Sequence, residues 1–295
     1  MLPLLTAHAL RALAWVAGLP GPRLRRTIAG WMAARALRAR SREARIVALN
    51  LRLAGLDARL DRDALEAASL TLLESLRYWT RPARRNLREV RAVEGLPLLE
   101  AAEAAGPVLV VAPHHGNWEL LVQWLAQRRA FSLLYTRGAS AGLDRFLRLA
   151  RERQGVRAVA ADAHGMKPLL KALQAGGTVG ITPDQVPEAG GALWAPFFGT
   201  PALTMTLVQR LGARAGATLL LAAAERRSDG GFTLRLEAVP EAVTSGTAEA
   251  AVAELNLAVE RFVRRSPAQY QWTYKRFKGQ RPGEALVNPY WPECY

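Results

Sequence analysis

Residues 107–119 read PVLVVAPHHGNWE: a short apolar run that ends at proline and delivers two adjacent histidines, a glycine, an asparagine and a glutamate. The apolar run 107–112 (PVLVVA), which leads into Pro113, predicts a strand. Beyond Gly116 a helical pattern takes over, with Asn117 placed to cap it. In sheets that alternate with helices, ligands gather where strands end and helices begin. Two of the four histidines in the chain, His114 and His115, sit at this one junction.

His114 and Glu119 are five positions apart. If His114 ends the strand and Glu119 falls in the first helical turns, the chain can fold back and bring carboxylate to imidazole. A carboxylate on one ring nitrogen fixes the tautomer, raises basicity and stabilises the imidazolium formed when a proton is taken. Gly116 permits the tight turn this needs. On spacing alone the pair reads as a structural hydrogen bond at least as readily as a catalytic dyad.

Outward from this junction the pattern predicts further strands at 131–135, 156–160, 178–182, 217–223 and 232–237. Helices are predicted at 117–128, 140–153, 166–175, 203–212 and 247–265. Residues 1–90 read as helical, with Asp63 and Glu66 as a capping box. No repeat or low-complexity linker divides the chain. The expected fold is α/β, a central mixed sheet flanked by helices and preceded by an N-terminal helical membrane-associating region. The boundaries are 1–88 for the helical part, membrane-associated at 1–40, and 89–295 for the α/β domain.

Charge is unevenly spread. The net charge is +15, and residues 1–60 hold eleven arginines against Glu43 and Asp57, leaving only +6 for the rest. A basic block is drawn to a polyanion, whether an anionic lipid surface, a nucleic acid or an acidic protein, or it reflects composition bias. Residues 2–20 are apolar but interrupted by Pro3, His8 and Arg11. An arginine near a bilayer centre costs roughly 2.5–3.5 kcal/mol, so this stretch is marginal as a span. It lacks the positive leading region of a signal peptide. Leu24 to Leu37 mixes Ile28, Trp31 and Met32 with Arg25, Arg26 and Arg35, which suits a helix lying in the lipid interface or packed on the protein's own core. The arginines alternate with aliphatics and no RNA or DNA motif accompanies them, so no nucleic-acid partner is expected. The single cysteine, Cys294, leaves no internal disulfide, no Cys-rich zinc site and no credible thiol nucleophile. A metal site from His114, His115 and His164 lacks the spacing of a His-Glu-x-x-His helix.

The string HHGNWE after a strand resembles the signature of the lysophospholipid acyltransferase superfamily. Its GNWE portion is similar to that of the lipid A biosynthesis lauroyl/myristoyl acyltransferase branch. Further stretches resemble that branch in the same order: Asn50-Leu51 after Arg45, and Tyr135-Thr136-Arg137 with one inserted residue. Residues 178–204 (TVGITPDQVPEAGGALWAPFFGTPALT) and 267–278 (PAQYQWTYKRFK) complete the series.

The resemblance implies transfer of a fatty acyl group from an acyl-carrier-protein thioester to a hydroxyl of a phosphorylated lipid A precursor. The setting it implies is the cytoplasmic face of a bacterial inner membrane. It implies His114 rather than His115 as general base, and Glu119 as the carboxylate that supports it. Arg137, Asp184 and Gln185 would bind substrate, Arg137 through a lipid phosphate, although Asp184-Gln185 also reads as a plain turn after a strand. Thr200 to Thr204 would line an acyl groove or cap the next helix, and Lys275-Arg276-Lys278 would face phosphates or form a solvated tail. No cofactor and no metal are implied. The alternative acceptor is another glycolipid, such as a phosphatidylinositol mannoside.

Overall fold

The computed structural model describes residues 2–162, 165–187, 191–279 and 288–295. The chain begins with helices α1 (Leu2–Ala17), α2 (Pro22–Arg38), α3 (Arg42–Leu53), α4 (Asp61–Tyr78) and α5 (Ala83–Asn86). Pro22 opens α2, where a missing N–H costs nothing. The Ser41 hydroxyl caps α3 by accepting from the Ala44 N–H at 3.2 Å. The expected Asp63–Glu66 capping box is not how α4 starts. That helix runs from Asp61 without a side-chain cap, and Asp61 and Asp63 both sit in its first turn, where their charge complements the helix dipole.

The apolar residues of α1 point two ways. Ala7 and Ala14 are buried beside Leu10 and Phe146, whereas Leu5, Leu13, Trp15 and Val16 are exposed. α2 buries Ala29 and Ala33 and leaves Leu24 and Trp31 exposed. No helix among the described residues is long and apolar enough to cross a membrane.

From residue 90 strands and helices alternate. They are β1 (Val90–Glu94), α6 (Leu96–Ala105), β2 (Val108–Val111), α7 (Trp118–Ala126), β3 (Phe131–Tyr135), α8 (Ala141–Glu152), β4 (Val156–Ala160), α9 (Met166–Gln174) and β5 (Thr178–Ile181). Then follow β6 (Ala192–Phe197), β7 (Thr200–Met205), α10 (Leu207–Ala215), β8 (Thr218–Arg226), β9 (Phe232–Ala238), α11 (Ala242–Ser245) and α12 (Ala248–Val263). Among the described residues seven strands form one sheet in the order β1-β9-β8-β2-β5-β3-β4. β8 and β9 run antiparallel and the other neighbours parallel, so the sheet is mixed, as expected.

β2 lies at the centre of this sheet and is buried on both faces. Leu109 and Val111 pack into one core with α9, α10 and α12, and Val108 and Val110 into the other with α6 and α7. Each such side chain contributes roughly 1.5–3 kcal/mol of burial, which makes β2 a rigid support. In the parallel register Val111 stands beside Ile181 of β5. The loops that leave β2 and β5 therefore emerge side by side.

The helix expected at 203–212 begins only at Leu207. Residues 200–205 instead form β7, paired with β6 in a hairpin outside the main sheet. Phe198 and Gly199 make its two-residue turn with φ of 51° and 73°, the doubly positive geometry that matches strand twist. The Phe198 N–H donates to Glu260 Oε1 at 2.6 Å, which ties down the one non-glycine residue in that turn.

Candidate active site

The loop after β2 is pinned on every side. Gly116 has φ of 64°, and a Cβ there would lie 1.9 Å from the Ala224 carbonyl oxygen, so only glycine fits. Its N–H donates to the Gln269 carbonyl at 2.9 Å, and the Asn117 N–H to that of Ala224 at 2.8 Å. The Asn117 side chain caps α7 as expected, accepting from the Leu120 N–H at 3.3 Å. Its amide donates to Glu74 at 2.9 Å, and Glu74 is held in turn by Arg226 at 2.7 Å. The histidines are thus carried on a backbone with little freedom.

His114 is oriented by Asp184. The Asp184 carboxylate accepts the His114 backbone N–H on Oδ2 at 2.8 Å and faces ring Nδ1 with Oδ1 at 2.9 Å. Burial would raise the Asp184 carboxyl, but His114, through its charge and hydrogen bonds, and the Arg276 cation hold it below the ordinary carboxylate range. An ionised Asp184 can only accept, so in the neutral ring the proton sits on Nδ1 and the lone pair on Nε2. The Gln185 amide nitrogen lies 3.3 Å from Nε2 and donates to that lone pair. The Trp118 ring meets the His114 ring edge-on at 5.6 Å between centroids.

Glu119 is fully buried and takes a different partner. Its Oε1 accepts from Arg151 Nη2 at 2.7 Å, and the Arg151 guanidinium lies over the Trp118 ring at 5.0 Å. The fold-back expected from the five-residue spacing is therefore not what holds the imidazole. Arg151, on α8, neutralises Glu119, and the carboxylate on the His114 ring comes from the neighbouring strand exit. Breaking a buried pair of this kind costs about 3–5 kcal/mol, so Glu119 and Arg151 stay together.

His115 is turned away from His114. It is fully buried, with Nε2 at 3.1 Å from Glu225 Oε1 and 3.0 Å from Ser266 Oγ, and its ring packs on Phe262. Arg137, just beyond β3, stands one strand further along the same sheet edge, exposed and paired with Asp162 at 3.0 Å. The structure thus brings His114, Asp184 and Gln185 together and sets Arg137 apart from them. His164 lies outside the described residues.

The basic tail is not solvated. Arg276 is 2% exposed and donates to Leu203 O and Thr204 Oγ1, both at 2.6 Å. Thr204 is buried against Asn256, and Thr200 donates to Leu53 O at 2.8 Å, so both serve the hairpin packing.

His114 opens onto a cavity of about 220 Å³ between α4 and the pinned loop. Ala68, Leu72, Trp79 and Trp118 supply apolar wall, and Thr71, Ser75, Gln271 and Glu119 supply polar points. The α4 wall and Arg151 were not foreseen as site residues, because their link to residue 114 is purely tertiary. His114 thus has Nδ1 on the Asp184 carboxylate and Nε2 beside the Gln185 amide, and it lines a partly apolar cavity.

Comparison with known proteins gives this site a family. The chain belongs to the bacterial lipid A biosynthesis acyltransferase family, which matches it over residues 5–279. The lipid A biosynthesis lauroyltransferase of Escherichia coli (strain K12) is 27% identical over 222 residues, 74% of this chain and 71% of the relative. The lipid A biosynthesis palmitoleoyltransferase of the same organism is 30% identical over 129 residues, 42% of this chain and 41% of the relative. A lipid A biosynthesis acyltransferase of Shigella flexneri matches to the same extent. The protein is an acyltransferase, as the HHGNWE stretch had implied.

Proposed function

We propose that the protein moves a fatty acyl chain from an acyl-carrier-protein thioester to a hydroxyl of a phosphorylated lipid A precursor, with His114 as the base. The observation that carries the chemistry is the His114–Asp184 contact at 2.9 Å on a histidine that lines the cavity. His114 Nε2 takes the proton of the acceptor hydroxyl as that oxygen bonds to the thioester carbonyl carbon. Asp184 stabilises the imidazolium, and collapse of the tetrahedral adduct breaks the carbon–sulfur bond. The proton passes from His114 to the departing thiolate. General-base assistance of this kind contributes roughly 10²–10⁴ in rate.

Glu119 serves through its neighbours: it anchors Arg151, which lies over Trp118, which in turn packs on the His114 ring. Gln185 holds the Nε2 direction until the hydroxyl replaces its amide. Arg137, exposed at the same sheet edge, recognises an acceptor phosphate by exchanging Asp162 for it. The exposed Leu5, Leu13, Trp15 and Val16 of α1 and Leu24 and Trp31 of α2 contact the lipid interface, with the N-terminal arginines facing anionic headgroups on the cytoplasmic side. The acidic carrier protein and the phosphorylated acceptor are both drawn to a chain of net charge +15.

The test is transfer in detergent from lauroyl- and myristoyl-carrier-protein to a tetraacylated, phosphorylated precursor. A product of higher mass whose formation needs His114 is expected. Transfer only to a different glycolipid would overturn the acceptor and keep the chemistry.

A further inference from the structure

Beyond residue 279, where the family match stops, residues 288–295 return to the body of the protein and close on α3. Arg42 Nε donates to the Cys294 carbonyl at 3.0 Å, and Arg45 donates to that of Glu293. Tyr290 is fully buried there. Its hydroxyl donates to Asn50 Oδ1 at 2.5 Å and accepts the Phe277 N–H at 3.0 Å. Asn50, also fully buried, gives its amide hydrogens to the carbonyls of Trp272 at 2.6 Å and Tyr274 at 2.8 Å. Burial pushes the Tyr290 phenol above its ordinary range, so it remains a donor throughout the working pH range.

The segment held in this way, 270–277, touches both halves of the dyad. The Gln271 N–H donates to the His114 carbonyl at 2.9 Å. The Tyr274 hydroxyl accepts the Val186 N–H at 3.0 Å, one residue beyond Gln185. Arg276 fastens the same segment to β7 through Leu203 and Thr204. This segment is therefore in direct contact with the loops that carry His114 and Asp184.

We infer that Tyr290 is a positioning residue: with Asn50 it clamps the 270–277 segment and so sets the spacing of the His114 ring and the Asp184 carboxylate. The inference rests on the His114–Asp184 reading of the site. Tyr290→Phe keeps the ring and its packing and deletes only the two hydrogen bonds, leaving Asn50 Oδ1 and the Phe277 N–H buried without that partner. Misplacement of catalytic groups by fractions of an ångström lowers turnover more than binding.

The experiment measures kcat, KM and melting temperature on the full chain for four proteins: wild type, Tyr290→Phe, His114→Ala and Leu99→Ala. Leu99 is a fully buried residue of α6, a helix that packs on β9. Assays are run where all four are folded. A roughly ten-fold lower kcat for Tyr290→Phe, with KM within about two-fold and Leu99→Ala unchanged in both, is the expected result. A Tyr290→Phe kcat within two-fold of wild type, while His114→Ala is inactive, overturns the clamp alone. Equal losses in Tyr290→Phe and Leu99→Ala reduce Tyr290 to a stability role and also overturn it. Full activity in His114→Ala removes the dyad reading and the clamp with it.

Discussion

Replacing Asp184 by asparagine isolates what its charge does for His114. The aspartate accepts two hydrogens at once, from the His114 backbone N–H at 2.8 Å and from ring Nδ1 at 2.9 Å. An asparagine has one oxygen to offer. If that oxygen keeps the backbone N–H, the amide nitrogen faces Nδ1 and donates to it. The ring proton is then forced onto Nε2, the atom that must be free to take the acceptor proton. The imidazolium also loses its counter-charge. The expected fall in kcat is the whole general-base contribution, roughly 10²–10⁴-fold, or about 2.7–5.4 kcal/mol in barrier. Glu119→Gln is the matched control, since it removes a buried carboxylate charge five residues from His114 and 2.7 Å from Arg151. Its main effect falls on stability, up to about 3–5 kcal/mol, with kcat down about ten-fold through Trp118 and Arg151. Steady-state assays on folded protein compare the two. A larger kcat loss in Glu119→Gln than in Asp184→Asn would refute the assignment of Asp184 as the ring's carboxylate.

Gly116→Ala places a Cβ 1.9 Å from the Ala224 oxygen at a φ of 64°, so a loss of at least about 3 kcal/mol is expected, and a melting temperature near wild type would contradict the pinned loop. Burial alone would raise the Glu225 carboxyl, yet His115 and Arg235 bring it from 4.5 to about 2. A depressed pKa contributes stability present in full above pH 4.5 and lost as pH falls through about 2. Glu225→Gln should therefore cost up to roughly 3 kcal/mol at neutral pH and flatten the acid limb of stability, and an acid limb as steep as wild type in urea titrations would count against the His115–Glu225 pairing. Trp15→Ala with Trp31→Ala removes two exposed indoles of α1 and α2 and should weaken sedimentation with anionic vesicles about ten-fold, whereas unchanged binding would place the lipid contact elsewhere.

Much of the architecture was legible because it is written locally. The apolar run 107–112 ending at Pro113, with a helical pattern after it, is enough for β2 and α7. Asn117 caps α7 as its position suggested. β1 escaped because Val90–Glu94 is a part-exposed edge strand with weak patterning, and the β6–β7 hairpin because Pro196 and Pro201 within it read as loop. The site was legible one residue at a time and not as a set. Asp184 and Gln185 entered only through the family resemblance, as substrate-binding residues or a plain turn, and the contact with His114 spans 70 positions in the chain. It follows from β5 lying beside β2, a pairing that no local pattern encodes. Glu119 was expected as the partner from its spacing and from the family resemblance, whereas in the structure it pairs with Arg151, 32 positions on. Arg276 illustrates the same limit: the cluster Lys275-Arg276-Lys278 reads as facing phosphates or as solvated, yet the Arg276 guanidinium is buried and fastens β7.

The most direct test of the account is acyl transfer from lauroyl- or myristoyl-carrier-protein to a tetraacylated, phosphorylated lipid A precursor. Wild type, His114→Ala, His115→Ala and Asp184→Asn are compared in detergent. The account predicts transfer by wild type, none by His114→Ala, a 10²–10⁴-fold loss in Asp184→Asn, and residual transfer by folded His115→Ala, whose ring serves packing. Undiminished transfer by His114→Ala would contradict it.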